Sequence, residues 1–406
     1  MPVTLKVKLW SGTPVWLRRR PPTVARLHRR TAAEADVIVI GAGISGALTA
    51  NVLSEAGLKV VLIDRRGPAK GSSAASTALI QYEIDEPLTR LSRKIGAKSA
   101  IRHYRRSKLA VDALVERCNR LGIAADLVPR DSLYLSGNLL GLSGLKAERA
   151  AREQAGLETS FLTRPELKEL YGLDRAAALR SSGNYAADPI RLTTGFLNAA
   201  LAGGARLFAP EEVEKVMETR RGIVAMTRSG NLLKARFAVF ATGYEIPFNL
   251  SRRHHRLMST WAMATRPQRW TPWPTECLIW EAADPYLYLR TTVDGRVICG
   301  GGDEDFKDEA TRDALLERKT QFLERKLSRM FPDIDARAAF RWTGTFGVTP
   351  TGTPSIGFVP RRRRTLAVLG YGGNGFTFSM IAAQVIRGLI LGDGDPDSDL
   401  YAPRFD

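Results

Sequence analysis

The stretch ADVIVIGAGISGALTANVLSEAGLKVVLIDRR, residues 35–66, sets Gly41, Gly43 and Gly46 between an apolar run and a segment of helical period. Residues 37–40 are apolar without a break, the pattern of a parallel strand covered on both faces. Glycine disfavours strand and helix alike, so three at this junction need a steric reason. Gly41 permits the turn, and Gly43 lets the backbone approach a diphosphate with no side chain between them. Gly46 lets the next helix lie close on the strand. That helix offers Leu48, Val52 and Leu53 to a core and stops at Gly57. Its first N–H groups and its dipole face the diphosphate. The second strand, residues 60–63, ends in Asp64, an acceptor placed for ribose hydroxyls. The stretch reads as a dinucleotide-binding unit.

Composition bounds the rest. With 406 residues, 44% of them hydrophobic, the chain can bury one large core or two interleaved ones. No apolar stretch reaches the ~18 residues of a membrane-spanning helix, and the N-terminus has no hydrophobic signal region. Cys118, Cys277 and Cys299 lack metal-binding or redox spacing and suit core positions in a reducing compartment, which points to the cytoplasm. His28, His103, His254 and His255 have no ligand spacing either, so no metal site is expected. The formal net charge is +18. Lys6, Lys8, Arg18, Arg19, Arg20, Arg26, Arg29 and Arg30 all precede the first acid, Glu34, and residues 361–364 are four arginines. Such runs bind polyanions or simply face water. Pro21-Pro22 and the absence of an amphipathic period make residues 1–34 a solvated basic arm on this reading, with nucleic acid not expected as a partner.

Residues 71–77 form a small-residue loop. Residues 95–121, 145–154, 165–171 and 309–330 read as helices, and 132–135 as a strand. GIVAMTRSGNLLKARFAVFATGY, residues 222–244, is a hairpin with Ser229-Gly230 at its tip, leading into a buried strand that ends at Thr242-Gly243. Residues 261–300 are strand-like, with a turn at Asp294-Gly295. LAVLGYGGNGFTFSMIAAQVIRGLILG, residues 366–392, is again strand, glycine loop and helix. A nicotinamide dehydrogenase completes its dinucleotide site within one contiguous half of the chain. A second glycine loop near the C-terminus suggests a larger cofactor, held by residues 41–46 at one end and 372–375 at the other. FAD fits. The last helix would direct its positive end, near Phe376 and Thr377, at the flavin pyrimidine edge, which becomes anionic on reduction. The expected fold is α/β: a Rossmann-type domain (35–85, 181–248 and 341–406) interleaved with a smaller α+β substrate domain on an antiparallel sheet (86–180 and 249–340).

The chain resembles the FAD-dependent oxidoreductases of the D-amino acid oxidase family, which includes sarcosine, glycine and gamma-glutamylputrescine oxidases. Six motifs in family order carry the resemblance: VIVIGAGISG, LIDRRGPAKGSSAAST, AVFATGY, PYLYLRTTVDGRVICGGGDED, RWTGTFGVTPTGTPSIG and GYGGNGFTFS. It implies that Gly41, Gly43, Ile44, Ser45, Gly46 and Asp64 hold the ADP part of FAD. It also brings Arg65, Ser72, Ser73, Ser76 and Thr77 to the ribose, diphosphate and flavin, and Val213 to the adenine. Thr242-Gly243 belong to the same cofactor set, and Gly372, Gly373, Asn374, Gly375, Phe376 and Thr377 would hold the flavin carbonyl. Gly344 stands where sarcosine oxidases place a flavin-linking cysteine, and the loop offers Ala74 and Ala75 where relatives link through histidine. Non-covalent FAD is therefore implied. The positions that grip a substrate carboxylate in relatives carry Gln81, Thr377 and Phe346, which shifts the expectation toward a larger or decarboxylated amine.

The implied reaction is oxidation of the C–N bond of an amine or secondary amine, with O2 or another compound taking the electrons. Hydride transfer to flavin from an unprotonated amine needs positioning more than a strong base. No catalytic residue is assigned. Tyr286, Tyr288 and Arg290 alternate along one strand and so share a face. They are pocket candidates, with Arg290 available to an anionic group. Glu83 and Trp342 are further candidates, the first as partner of a cation and the second as a core residue or a wall. Two alternatives stay open: a nucleic-acid-directed flavin enzyme of the same fold, and a nicotinamide-dependent dehydrogenase.

Overall fold

The computed structural model describes residues 3–27, 33–247 and 255–403. Arg29, Arg30, His28 and His254 lie outside the described residues. Within them the strands form two sheets. The first runs in the order Ser355–Phe358, Thr365–Leu369, Leu232–Phe240, Ala33–Ile40, Val60–Ile63, Arg206–Phe208, with the hairpin Val213–Thr219 and Gly222–Thr227 attached to Leu232–Phe240. Its inner pairings are parallel, and Ile40 lies beside both Phe240 and Ile63. The carboxyl ends of these strands meet at one edge, where ligands of open α/β sheets bind.

Both faces of this sheet are covered, which explains the unbroken apolar runs. Val37, Val39 and Leu62 pack with helices Ile44–Glu55 and Gly375–Leu391, while Ile38, Ile40 and Val61 pack on the side of the hairpin. The helix Ile44–Glu55 is buried at every position from 44 to 54, so it is not amphipathic as the pattern suggested. Helices Pro189–Ala202 and Gly375–Leu391 flank it. Helix Ala97–Arg120 also joins this core through Tyr104, Val111 and Leu114, packing on Gly375–Leu391. The sequence expectation places residues 86–180 mainly in the substrate domain, and this helix of that stretch packs on the core of the first sheet.

The second sheet runs Ala338–Val348, Arg256–Thr265, Val297–Glu304, Leu287–Thr291, Leu278–Glu281, Val128–Leu135, Ala177–Ala186, Leu79–Ile80, with Ser160–Thr163 on Ala177–Ala186. It is antiparallel except where Leu278–Glu281 meets Val128–Leu135. Strands Ala177–Ala186 and Ala338–Val348 run past the expected boundaries at 180 and 340. The expected helix 309–330 is two, Glu309–Ala314 and Leu316–Met330.

The described part of the basic arm is docked on the protein rather than free in solvent. Leu9, Val15 and Trp16 are buried, the last two in a cluster with Ala262, Ile298 and Trp342. Thr345 N–H donates to the Leu9 carbonyl (2.9 Å) and Thr343 N–H to that of Ser11 (3.0 Å). The segment thereby covers the outer edge of strand Ala338–Val348, satisfying groups that an open edge would leave bare. Four of its cations are paired as well: Lys6–Glu212 at 2.7 Å, Lys8–Asp313 at 2.6 Å, Arg18–Asp294 at 2.8 Å and Arg19–Asp126 at 3.1 Å. Charge counting alone treated these residues as free.

Candidate active site

One cavity runs from the strand ends of the first sheet to the face of the second. At its first glycine loop each glycine has a separate task. A Cβ on Gly46 would sit 1.9 Å from the Gly41 carbonyl oxygen, so this glycine lets helix and strand touch. Gly41 adopts φ +118°, which L side chains rarely reach. A Cβ on Gly43 would meet only the Ser73 hydroxyl, at 3.2 Å, and Gly43 otherwise faces the cavity. Ile44 N–H donates to that hydroxyl at 3.0 Å. No side chain caps the helix that begins at Ile44, and the buried Ser72 hydroxyl, beside the cavity, has no partner.

Asp64 closes the second strand. Its carboxylate accepts from the N–H groups of Ala42 (2.8 Å), Arg66 (2.7 Å) and Gly67 (2.7 Å), tying the two turns together at the cavity wall. Burial raises its pKa against these three bonds. Beyond it, Glu245 accepts from Arg66 (2.9 and 2.7 Å) and from Val7 N–H (2.9 Å), and pairs with Arg65. Val3, Thr4 and Leu9 of the N-terminal segment line the same cavity, as do Val213, Thr242 and Gly243.

The second glycine loop closes the far side. Gly373 N–H donates to Asp85 (2.7 Å), Asn374 Oδ1 accepts from Asp85 N–H (3.2 Å), and Tyr244 donates to the Gly372 carbonyl (3.1 Å). Gly375 and Phe376 open the last helix against the cavity. The hydroxyls of Ser45 and Ser379 lie 2.6 Å apart and join the two helix starts.

At the second sheet the cavity is walled by Tyr286, Tyr288, Trp280, Thr260 and Phe346. A Cβ on Gly300 would lie 2.4 Å from the Tyr288 ring, so only glycine there lets that ring lie flat across the strand. Three carboxylates face this end: Glu83, Asp85 and Asp303. Glu83 is held by Ser132 and stands 3.8 Å from Arg152, both side chains fully buried. Burial raises the pKa of Glu83 and Asp85 and pushes Asp303 up to about 7.

Three candidates are placed elsewhere. Arg290 does not line the cavity. It is 3% exposed and donates to the carbonyls of Thr77 (3.1 Å), Ala78 (2.8 Å), Ala187 (2.9 Å) and Thr291 (3.1 Å), under the Trp16 ring. Alternation gave its strand face correctly, but at the strand end its long side chain reaches carbonyls of the neighbouring loops before any ligand. Trp342 is buried in the cluster with Val15 and donates to the Ala75 carbonyl (2.8 Å), so it is core. Thr377 is buried at 1% exposure and donates its hydroxyl to the Gln81 carbonyl (2.7 Å).

A glycine facing the cavity, an unpartnered hydroxyl beside it and two uncapped helix starts together fit FAD. A model of FAD-dependent oxidoreductases, the DAO family, matches residues 36–389. The chain belongs to this family. The FAD-dependent oxidoreductase is 24% identical to gamma-glutamylputrescine oxidoreductase of Escherichia coli, covering 89% of this chain and 84% of the relative. It is 24% identical to glycine oxidase of Bacillus licheniformis, covering 88% and 93%. The crystal structure of glycine oxidase from Geobacillus kaustophilus superposes with a TM-score of 0.72 at 20% identity, covering 92% of this chain and 97% of that one. No cysteine or histidine stands among the described cavity-lining residues, in keeping with FAD held without a covalent bond. We propose that, with FAD bound, Gly41, Gly43, Ile44, Ser45, Asp64, Ser72 and Ser73 would hold its ADP part and residues 372–376 its flavin, all of them lining the cavity.

Sequence reasoning missed Glu245, Asp85, Asp303, Thr260 and the N-terminal wall. Glu245 follows the ATGY motif directly and Asp303 follows three glycines, so adjacency to those motifs was the available signal.

Proposed function

We propose that this FAD-dependent oxidoreductase oxidises the C–N bond of an amine or secondary amine. The observation that carries this reading is the charge of the cavity at the second sheet. Its carboxylic acids are Glu83, Asp85 and Asp303, its other walls are aromatic apart from Thr260, and no lysine or arginine lines that end among the described residues. Such a lining attracts a cation and repels a carboxylate. Arg290, committed to carbonyls, cannot serve an anionic substrate. The names of the relatives above, an oxidoreductase of an acylated diamine and an oxidase of glycine, support a C–N bond as the target.

Bound FAD supplies the two-electron acceptor. The chain contributes position: Tyr286 and Tyr288 form the wall on which the substrate lies, and Gly300 lets the second ring lie flat. The carbon gives up its hydrogen with the bonding pair, the nitrogen lone pair forms the C=N bond, and water hydrolyses the imine to a carbonyl compound and an amine. No side chain is required as a strong base if the nitrogen arrives unprotonated. We also infer that O2 or another acceptor then takes the electrons. Three buried, unbridged cysteines suit a reducing compartment such as the cytoplasm, and no helix among the described residues is long and apolar enough to cross a membrane.

The test is anaerobic mixing with amines, amino acids and 2-hydroxy acids while the flavin's visible absorbance is followed. Bleaching by an amine, with carbonyl product, is expected. Bleaching by hydroxy acids alone would overturn the reading. Acid precipitation of the same sample should leave all FAD in the supernatant.

A further inference from the structure

The nitrogen that is oxidised must be neutral when it reacts, so it gains little from a carboxylate. The cavity nevertheless presents three. Two have one oxygen engaged: Glu83 Oε1 by Ser132 and, at 3.8 Å, Arg152, and Asp85 Oδ2 by the Gly373 N–H at 2.7 Å. Asp303 is different. Its Oδ1 is buried without a hydrogen-bond partner, with the Thr260 hydroxyl as its polar neighbour. Lys319 is a cation near it, but Lys319 is bound to the Gly302 carbonyl (2.6 Å) and Glu304 (2.6 Å), and lies over the Trp261 ring. Oε2 of Glu83, a residue 2% exposed at the same cavity, also has no partner. Beside these acceptors the rings of Tyr286 and Tyr288 stand 5.7 Å apart, and aromatic faces hold ammonium groups well once water is excluded. A buried carboxylate without partner is costly unless a ligand completes it.

We propose that the substrate is an amine with a second, cationic nitrogen and no carboxylate, an α,ω-diamine or longer polyamine, and that Asp303 with Tyr286 and Tyr288 receives that second nitrogen. The proposal rests on the amine reading above and narrows it. A monoamine would leave Asp303 unpaired, and an ω-amino acid would set carboxylate against carboxylate. The burial that pushes the Asp303 carboxyl up to about 7 agrees with a group lacking its partner.

The test uses the FAD-loaded enzyme with 1,4-diaminobutane, butylamine and 4-aminobutanoate, and with tetramethylammonium as a cation that cannot be oxidised. Wild-type enzyme should favour the diamine over butylamine by about 30-fold or more in kcat/KM, the scale of a buried charge partner, and use 4-aminobutanoate worst. Tetramethylammonium should perturb the flavin spectrum and compete with the diamine. D303N should erase most of the diamine preference and weaken tetramethylammonium binding about 30-fold. Preference for 4-aminobutanoate or butylamine in the wild type overturns the proposal with no variant needed. So does a D303N enzyme of normal flavin content that keeps both the preference and the cation binding. If tetramethylammonium binds through Asp303 but no amine bleaches the flavin, the cation site stands and the amine-oxidation reading falls.

Discussion

Replacing Gly43 by valine and Gly46 by alanine should break the enzyme in opposite ways. Gly43 has φ −80° and ψ −172°, which any residue adopts, and its added Cβ would meet only Ser73 Oγ, at 3.2 Å. The protein itself should tolerate valine at a cost of about 1 kcal/mol, the difference between glycine and a β-branched residue at a helix N-cap. The cofactor should not. The side chain would fill the space that the diphosphate needs, removing about two charge-assisted hydrogen bonds of about 1.5–3 kcal/mol each. The dissociation constant for FAD should then rise about 10²–10⁴-fold. At Gly46 the added atom would lie 1.9 Å from a backbone oxygen that cannot swing aside. Helix and strand must part, an overpacking cost of about 3 kcal/mol in the folded chain with or without FAD. Thermal unfolding of the apoprotein and FAD titration followed by fluorescence quenching separate the two effects. Wild-type FAD affinity in G43V, or unfolding of G43V as severe as that of G46A, would refute the reasoning.

Arg290→Met should lower stability by about 2–4 kcal/mol, because four carbonyls lose a buried donor, while kcat/KM per folded, flavin-loaded molecule stays unchanged. Chemical denaturation with parallel steady-state kinetics checks it, and a selective rise in KM would restore Arg290 to the substrate. Asp303 has a folded-state pKa raised from 3.8 to about 7, so the folded enzyme holds a proton that the unfolded chain releases, and stability is lost as pH rises between those values. Asp303→Asn should therefore leave the apoprotein more stable than wild type at pH ~8, by at most ~4 kcal/mol, with the gap closing toward pH ~4; a gap independent of pH refutes this. Deleting residues 1–12 removes Val3, Thr4 and Leu9 from the cavity wall and the Val7 bond to Glu245. FAD should then dissociate about tenfold faster on dilution, as read from the rise in flavin fluorescence.

The sequence made the cofactor end legible because its determinants are local. A strand, three glycines and an acid at fixed spacing leave little freedom, and Gly41 and Gly46 take the steric roles that their order implies while Gly43 faces the cavity. The substrate end was harder. Periodicity put Tyr286, Tyr288 and Arg290 on one face, yet only tertiary structure decides that Arg290 finds carbonyls of residues 77, 78 and 187 first. Asp303 carries no periodic signal after three glycines, and its solitude is set by where Lys319 is committed. The arm was misread because its arginines outweighed Val15 and Trp16, the adjacent apolar pair that anchors it.

The hydroxyls of Ser45 and Ser379 touch across 334 residues of chain, and strand Ala338–Val348 is the one that the segment around Leu9 must find. During synthesis the first turn of the nucleotide-binding unit leaves the ribosome long before its partner exists, and the N-terminal segment waits with Trp16 uncovered until residues near 342 have been made. A nascent or truncated chain therefore has no complete place for flavin and cannot draw on the cofactor's binding energy to fold. Yellow colour in this protein marks a finished chain.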